Sequence, residues 1–406
     1  MRDIHFFNTD SDMAVANNSP FYMPPARIDK MNRDLGFLAA YFAEEQDAVM
    51  MIKRPDKLFL ESISSLLGYM PQCYSFGLLQ GLSSSFRAIR PWGWNPRVHH
   101  LFAPLKPFSA PTMQSHPLLV WNDYIRHISG KGVVPDFLPA ILDLIPEISR
   151  SILPEKITSL EELEELTRKE KLVVKAPWSS SGKGVRFMTD YVFGKNEREW
   201  TSGILKQQGF VTAAKYVVNH QDFAMQFYAS PEGEISYCGL SLFFTNQHGQ
   251  YLGNYIATEK QFESRLLKLI PKGHLDKVRE SLLLLLPEIL KGHYYGYFGI
   301  DMMLFSDKDG CVQIHPMVEI NLRNNMGILA ALIRDRIVKE GCSGKYYVDF
   351  ESSTERLNAK IKDLKERYPL VIEDHKIVKG FFSLTPVYQD SQYIAYIIIE
   401  EEDILR

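Results

Sequence analysis

Hydrophobic and polar positions divide the chain into short helices and strands that alternate along its length. Apolar residues at helical spacing predict helices over 29–43 and 274–290, and a charged helix is predicted over 353–367. Asn122 and Asp123 offer a cap for a helix running to Ile128. Thr158 and Ser159, followed by Glu161 and Glu162, open an acidic helix in the way the helix dipole favours. Short apolar runs bounded by turn residues predict strands over 48–52, 172–175 and 185–188. A strand pair over 223–227 and 235–242 turns at Ser230-Pro231-Glu232-Gly233, and another runs over 297–305 and back to Asn321 around 306–310. Two further β-like runs cover 381–384 and 393–400. The class is therefore α/β (α+β) with mixed sheets.

Composition narrows the function classes. The 406 residues, 45% hydrophobic and 23% charged, suffice for a large core and two or three domains. Lys and Arg number 46 against 49 acidic residues, with no dense basic run, so nucleic acid is not expected as a partner. Cys73, Cys238, Cys311 and Cys342 are too scattered for a zinc site or a redox dithiol. No apolar segment has the length of a membrane span, and the N-terminal residues lack the apolar stretch of a signal peptide, so a cytoplasmic location is expected.

Two patterns carry candidate chemistry. In the first, the strand ending at Lys175 runs into Ala176-Pro177-Trp178-Ser179-Ser180-Ser181-Gly182-Lys183-Gly184, a small-residue hairpin tip. Its backbone N–H groups can approach phosphate oxygens closely, and Lys183 adds positive charge. The spelling excludes a Walker-A loop: Pro177 and Gly184 stand where a Gly and a Ser or Thr are needed. Taken alone, such a tip is equally an ordinary turn.

In the second, Glu319 and Asn321 lie two apart on a strand and so share a face, with Asp301 on the strand before. Two carboxylates and an amide oxygen are hard ligands suited to magnesium at phosphates, although solvated strand charges would look the same. A simple mirror about the 306–310 turn sets Asp301 opposite residue 315, short of Glu319. Pro316, which cannot donate to a ladder, is the expected place for a bulge that closes the gap.

The order of these patterns resembles the ATP-grasp superfamily over about residues 119–335. The segment from Lys175 to Val185 is similar to its nucleotide-covering loop, and Met317-Val318-Glu319-Ile320-Asn321-Leu322-Arg323 to its metal-binding strand. Within the superfamily the chain resembles a bacterial group with Phe-Asn-Pro-like N-termini, here Phe6-Phe7-Asn8-Thr9-Asp10, and a Pro-Trp-Gly-Trp segment.

The resemblance implies an N-terminal α/β pre-ATP-grasp domain over 1–118, a central nucleotide-covering subdomain over 119–218, and a metal-bearing C-terminal subdomain with an extension over 219–406. Lys175, Ser180, Ser181, Gly182 and Lys183 would contact the phosphates of ATP. Asp301, Glu319 and Asn321 would hold Mg2+ or Mn2+. Arg323 would stabilise the acyl phosphate or tetrahedral intermediate, with Lys175 as a second catalytic group. The hinge over 211–217, with Ala214, Lys215 and Tyr216, would read adenine through its backbone, and Asp222 would accept from ribose.

The implied reaction activates a small-molecule or peptide carboxylate for attack by an amine or thiol, with release of ADP and phosphate. A small-molecule kinase and a non-catalytic ATP-binding module are the alternatives. The sequence departs from the family pattern twice: 212–215 lacks the usual hinge Glu, and the family's earlier phosphate-contacting Lys is not evident at Trp121-Asn122-Asp123. His315 shares the alternation of Glu319 and is expected as a packed strand histidine. Asn8, Asp10 and Asp12 are read as a turn cluster that could face substrate, and Trp92 and Trp94 as packing residues.

Overall fold

A computed structural model describes residues 2–75, 86–179, 184–245, 251–307 and 309–400. Three sheets organise them. The first is parallel, with strands β1 (Ile4–Phe6), β2 (Ala48–Met51), β3 (Gln72–Ser75) and β4 (Ile89–Pro91) in the order β3-β2-β1-β4. β1 and β2 are buried along their whole length, as expected of a parallel sheet covered on both faces.

The second sheet is small and antiparallel. It is built from β5 (Glu155–Ile157), β6 (Leu172–Lys175), β7 (Val185–Met188) and β8 (Val211–Lys215) in the order β5-β8-β6-β7. The predicted hairpin is present in register, with Leu172 opposite Met188 and Lys175 opposite Val185. This sheet has its own core, in which Ile157, Leu163, Val174 and Val211 are fully covered. The acidic helix, Leu160–Lys169, starts at Ser159, whose hydroxyl accepts from the Glu162 N–H.

The third sheet has nine strands: β9 (Val218–Ala229), β10 (Ile235–Thr245), β11 (Tyr251–Ile256), β12 (Gly296–Ser306), β13 (Val312–Asn321), β14 (Ser343–Phe350), β15 (Val371–Glu373), β16 (Lys376–Ser383) and β17 (Tyr393–Glu400). Their order is β13-β12-β9-β10-β11-β14-β17-β16-β15. One apolar core joins this sheet to the first, since Ile4, Phe6 and Ile89 lie in the same cluster as Phe223, Phe298 and Ile320. Helices Asp123–Ile128 and Val133–Leu144 contribute Ile125, Ile128, Leu138 and Ile141 to that core. At roughly 1.5–3 kcal/mol for each large apolar side chain covered, this shared core fixes the first sheet against the third.

Two expectations change in detail. The single helix predicted over 29–43 is an α-helix, Ala26–Asp34, followed by a 3-10 segment, Gly36–Phe42. Every residue of the latter is buried, so no polar face remains to continue an amphipathic helix. The segment 211–217 is mostly strand β8, and only Tyr216 and Val217 link it to β9. Among the described residues no helix is long and apolar enough to cross a membrane.

Candidate active site

Asp301 and Glu319 are direct cross-strand partners on β12 and β13, and Gly299 pairs with Asn321. The register that brings them together has two parts. The turn centres one residue later than a simple mirror requires, because Ser306 pairs with Val312 and Met303 with His315. Beyond Met303 the partner then jumps from His315 to Glu319, so the ladder slips at Pro316. A residue without an N–H is tolerated at such a slip. Turn and bulge each supply half of the missing offset.

The pairing sets two half-buried carboxylates together. Burial first, and then the charge of Glu319, hold the Asp301 carboxyl well above the usual carboxylate range. Arg323 and a hydrogen bond from Asn321 pull the other way. Asp222, on β9 opposite Met303, is also raised by burial, against a hydrogen bond from the Asn219 amide at 2.9 Å.

Two lysines meet these acids. Lys175, at the end of β6, is half-buried, and its Nζ lies 3.4 Å from the Val318 carbonyl. Burial pushes its ammonium down to about 8, even though Glu319 pulls it upward; Lys131 adds to the lowering. Lys131 donates from Nζ to Glu319 Oε1 at 2.7 Å and to the Ser179 carbonyl at 2.7 Å, and its own N–H reaches the Pro177 carbonyl at 2.8 Å. It therefore ties the loop of the small sheet to the carboxylates of the large one.

Lys131 is the residue that sequence reasoning missed. It sits in Gly130-Lys131-Gly132, just beyond helix Asp123–Ile128 and eight residues after the position searched. Its only local signal is that pair of glycines, and both are needed for packing. A Cβ on Gly130 would lie 2.6 Å from Trp178 Nε1, and one on Gly132 2.5 Å from Phe210. The Trp178 indole N–H donates to the Arg126 carbonyl at 3.0 Å, and the Arg126 guanidinium lies 4.1 Å from the Trp178 ring centre.

Arg323 lies two residues past Asn321, the last residue of β13. It forms a two-pronged pair with Asp12, both bonds 3.1 Å, and reaches Asn321 Oδ1 at 2.9 Å. Burial opposes its charge, but Asp12, with Glu319 and Asp301 behind it, more than offsets this and raises the guanidinium. The turn cluster after β1 divides: Asp12 faces the site, Asp10 pairs with Arg97 at 3.2 Å, and Asn8 bonds the Gly93 carbonyl at 2.9 Å. Trp92 packs between Phe7 and Phe42, whereas Trp94 lines the same cleft as Ser11, Asp12, Lys131, Ser179, Glu319 and Arg323.

The remaining predicted residues take the following places. Ser180, Ser181, Gly182 and Lys183 lie outside the described residues; the base of their loop is closed by Ala176 N–H on the Gly184 carbonyl at 2.8 Å. Ala214 pairs with Val173 inside the small sheet, and the Lys215 ammonium lies 3.7 Å from Glu170. Tyr216 donates its N–H to the Lys171 carbonyl at 2.8 Å and sets its ring edge-on to Phe187. His315 is buried, as expected of a packed strand histidine; burial, and then nearby Lys175, push its imidazole down to about 3. Its Nδ1 has no partner among the described residues.

A small antiparallel sheet tied through Lys131 to a carboxylate of a larger antiparallel sheet, with a parallel N-terminal sheet sharing the latter's core, is the ATP-grasp fold. The chain is similar over 98% of its length to the biotin carboxylase domain of the Hydrogenobacter thermophilus 2-oxoglutarate carboxylase, solved with MgADP, ADP and bicarbonate; the TM-score is 0.50, the identity 12%, and 86% of that chain is covered. Biotin carboxylase from Campylobacter jejuni is also similar, at 12% identity and TM-score 0.49, covering 99% of this chain and 88% of that one. So is N5-carboxyaminoimidazole synthetase from Staphylococcus aureus with ADP, at 9% identity and TM-score 0.49, covering 99% and 94%. No family model and no curated protein matches the sequence, so the likeness lies in the fold.

Proposed function

We propose that the protein is an ATP-dependent ligase that activates a carboxylate as an acyl phosphate, hands it to an amine or thiol, and releases ADP and phosphate. The observation that carries this reading is the convergence of Lys131 and Lys175 on the cross-strand pair Asp301 and Glu319. Two adjacent, half-buried carboxylates repel each other and are costly unless cations offset them. One ammonium on Glu319 is a partial remedy, and a divalent cation completes it.

The donor set fits magnesium or manganese: Asp301, Glu319 and Asn321 are hard oxygen ligands on two paired strands. Bound there, such an ion would neutralise charge on transferring phosphate. The chain's own residues supply the rest. Lys175 and Lys131 would supply positive charge to the phosphates of ATP, next to the described loop residues Pro177–Ser179. Arg323, held in orientation by Asp12, offers its fork to the oxyanion of the activated acyl group. Ala214, Lys215 and Tyr216, at the end of β8 and in the link to β9, are proposed to read adenine through backbone groups, with Asp222 accepting from ribose.

The acceptor and donor are proposed as small molecules or peptides carrying a carboxylate and an amine. Phosphorus NMR of MgATP with the protein, bicarbonate and a pool of carboxylates and amines tests the reading. ADP and phosphate formed in a substrate-dependent way, and lost in Glu319→Ala, support it. AMP and pyrophosphate would overturn the acyl-phosphate chemistry, and a stable phosphorylated small molecule would make the protein a kinase.

A further inference from the structure

Beside the candidate ATP site lies a second cavity of about 220 Å³, between the first and third sheets. Trp94 lines both spaces, and Asn324 lines the second where its neighbour Arg323 lines the first. Rings form much of the wall: Phe42 and Trp94 on one side, and Tyr228, Tyr294, Tyr295 and Tyr297 on the other. Tyr294 and Tyr295 have their hydroxyls engaged with the Tyr297 and Ile89 carbonyls, at 2.6 and 3.2 Å.

The charged groups in this cavity divide unevenly. Asp3 is taken by Arg87 through two bonds, 2.8 and 2.7 Å, and accepts Arg90 Nε at 3.1 Å. One carboxylate thus serves two guanidinium groups and engages only the Nε of Arg90. The Arg90 guanidinium lies 5.0 Å from the Tyr295 ring centre, and its two terminal nitrogens have no hydrogen-bond acceptor among the described residues. The acids nearby are committed elsewhere. Asp47 accepts the Asp3 N–H at 2.7 Å, the Glu44 N–H at 2.9 Å and His5 Nε2 at 3.2 Å, while Glu44 pairs with Arg336 at 2.7 Å. Asp3, His5 and Asp47 lie close enough to suggest a metal, but these arginine and backbone donors already hold their oxygens.

We propose that this cavity binds a carboxylate on the free fork of Arg90, with a small planar or aromatic body set among the tyrosines and reaching past Trp94 towards Arg323. The proposal rests on the ligase reading: the substrate then carries a second carboxylate, remote from the group that reacts. A guanidinium with both terminal nitrogens open matches the two oxygens of a carboxylate, and the tyrosine rings favour a flat partner over a bulky aliphatic one.

The test is a binding titration of the full chain by NMR with isophthalate, benzoate, phenyl phosphate, benzamide and benzylamine, with a MgADP titration run in parallel. The expected result is binding of isophthalate and benzoate, with benzamide and benzylamine at least about tenfold weaker. Arg90→Met should weaken the acids by roughly 10- to 100-fold, the usual range for a charge-assisted pair. Arg87 still holds Asp3 in that variant; should it fail to fold, Tyr228→Trp fills the cavity, leaves the Arg90–Asp3 pair in place, and should produce the same loss. Acids that do not bind the wild type, acids unaffected by these substitutions, or amide and amine probes as tight as benzoate overturn the proposal. Phenyl phosphate tighter than benzoate overturns the choice of carboxylate. Acid binding without MgADP binding would sink the ligase reading alone, and MgADP binding without acid binding would sink this one alone.

Discussion

Lys131 Nζ stands 2.7 Å from Glu319 Oε1, joining two residues 188 positions apart in the chain. The lysine supplies charge to the site and holds the loop at Pro177–Ser179 against it. Replacing it by Met should lower ATP turnover by about 10²-fold, the scale for losing one preorganised charge donor. A phosphate-release assay, with circular dichroism to confirm folding, checks this; turnover within twofold of wild type would remove Lys131 from the site.

Asp301 predicts a pH dependence in the metal-free protein. Its folded-state pKa is raised, to about 7, so the folded chain holds a proton that the unfolded chain releases near pH 4. The stabilisation from that proton is complete below pH 4 and is lost as pH rises through 7. Thermal unfolding in chelator should therefore show stability falling across that window, with Asp301→Asn flattening the fall. The same variant removes a like-charge cross-strand pair and should gain about 0.5–1 kcal/mol at pH 7.5 while losing turnover.

Lys175 should be unusually reactive. With its ammonium lowered to about 8, a large share is a free amine at pH 8, whereas exposed lysines remain protonated. Brief acylation followed by peptide mass spectrometry should mark Lys175 early among the lysines, and MgATP should protect it. Labelling indifferent to nucleotide would place it away from the phosphates.

Arg323 and Asp12 form one unit across the first and third sheets. Arg323→Lys keeps the charge but loses the fork, and should reduce turnover at least tenfold. Asp12→Asn should produce a smaller loss in the same direction, because the guanidinium stays but is held less firmly. Measured together with the double variant, the losses should fall short of additive.

Gly130→Ala tests the packing that presents Lys131. The added methyl group would meet Trp178 Nε1 at 2.6 Å and force a shift costing about 1–3 kcal/mol. The expected signature is a lower melting temperature together with weaker nucleotide binding, read by calorimetry and by Trp178 fluorescence.

The legibility of this fold in the sequence was uneven, for physical reasons. Strands β6, β7, β9, β10, β12 and β13 announce themselves because apolar runs and turn residues are local signals. Glu319 and Asn321 were visible for the same reason, as residues two apart on one strand. The slip at Pro316 was anticipated, but only the ladder itself shows that the turn supplies half of the offset. Lys131 was hidden because a lysine between two glycines has no period, and its meaning lies in contacts with Pro177, Ser179 and Glu319. Arg90 was hidden in the same way, since the wall around it is gathered from separated stretches of chain.

Strand β13 is the outermost strand of the nine-stranded sheet, so one side of its backbone has no strand beside it. That open side lets Glu319 and Asn321 stand where groups from the small sheet can approach them. It is also a surface on which another chain could add a strand. Lys175 donates to the Val318 carbonyl at 3.4 Å, so one backbone acceptor of this edge strand is covered. The lysine proposed to hold nucleotide therefore also caps a carbonyl of the edge strand, and a variant that loses it uncovers that carbonyl.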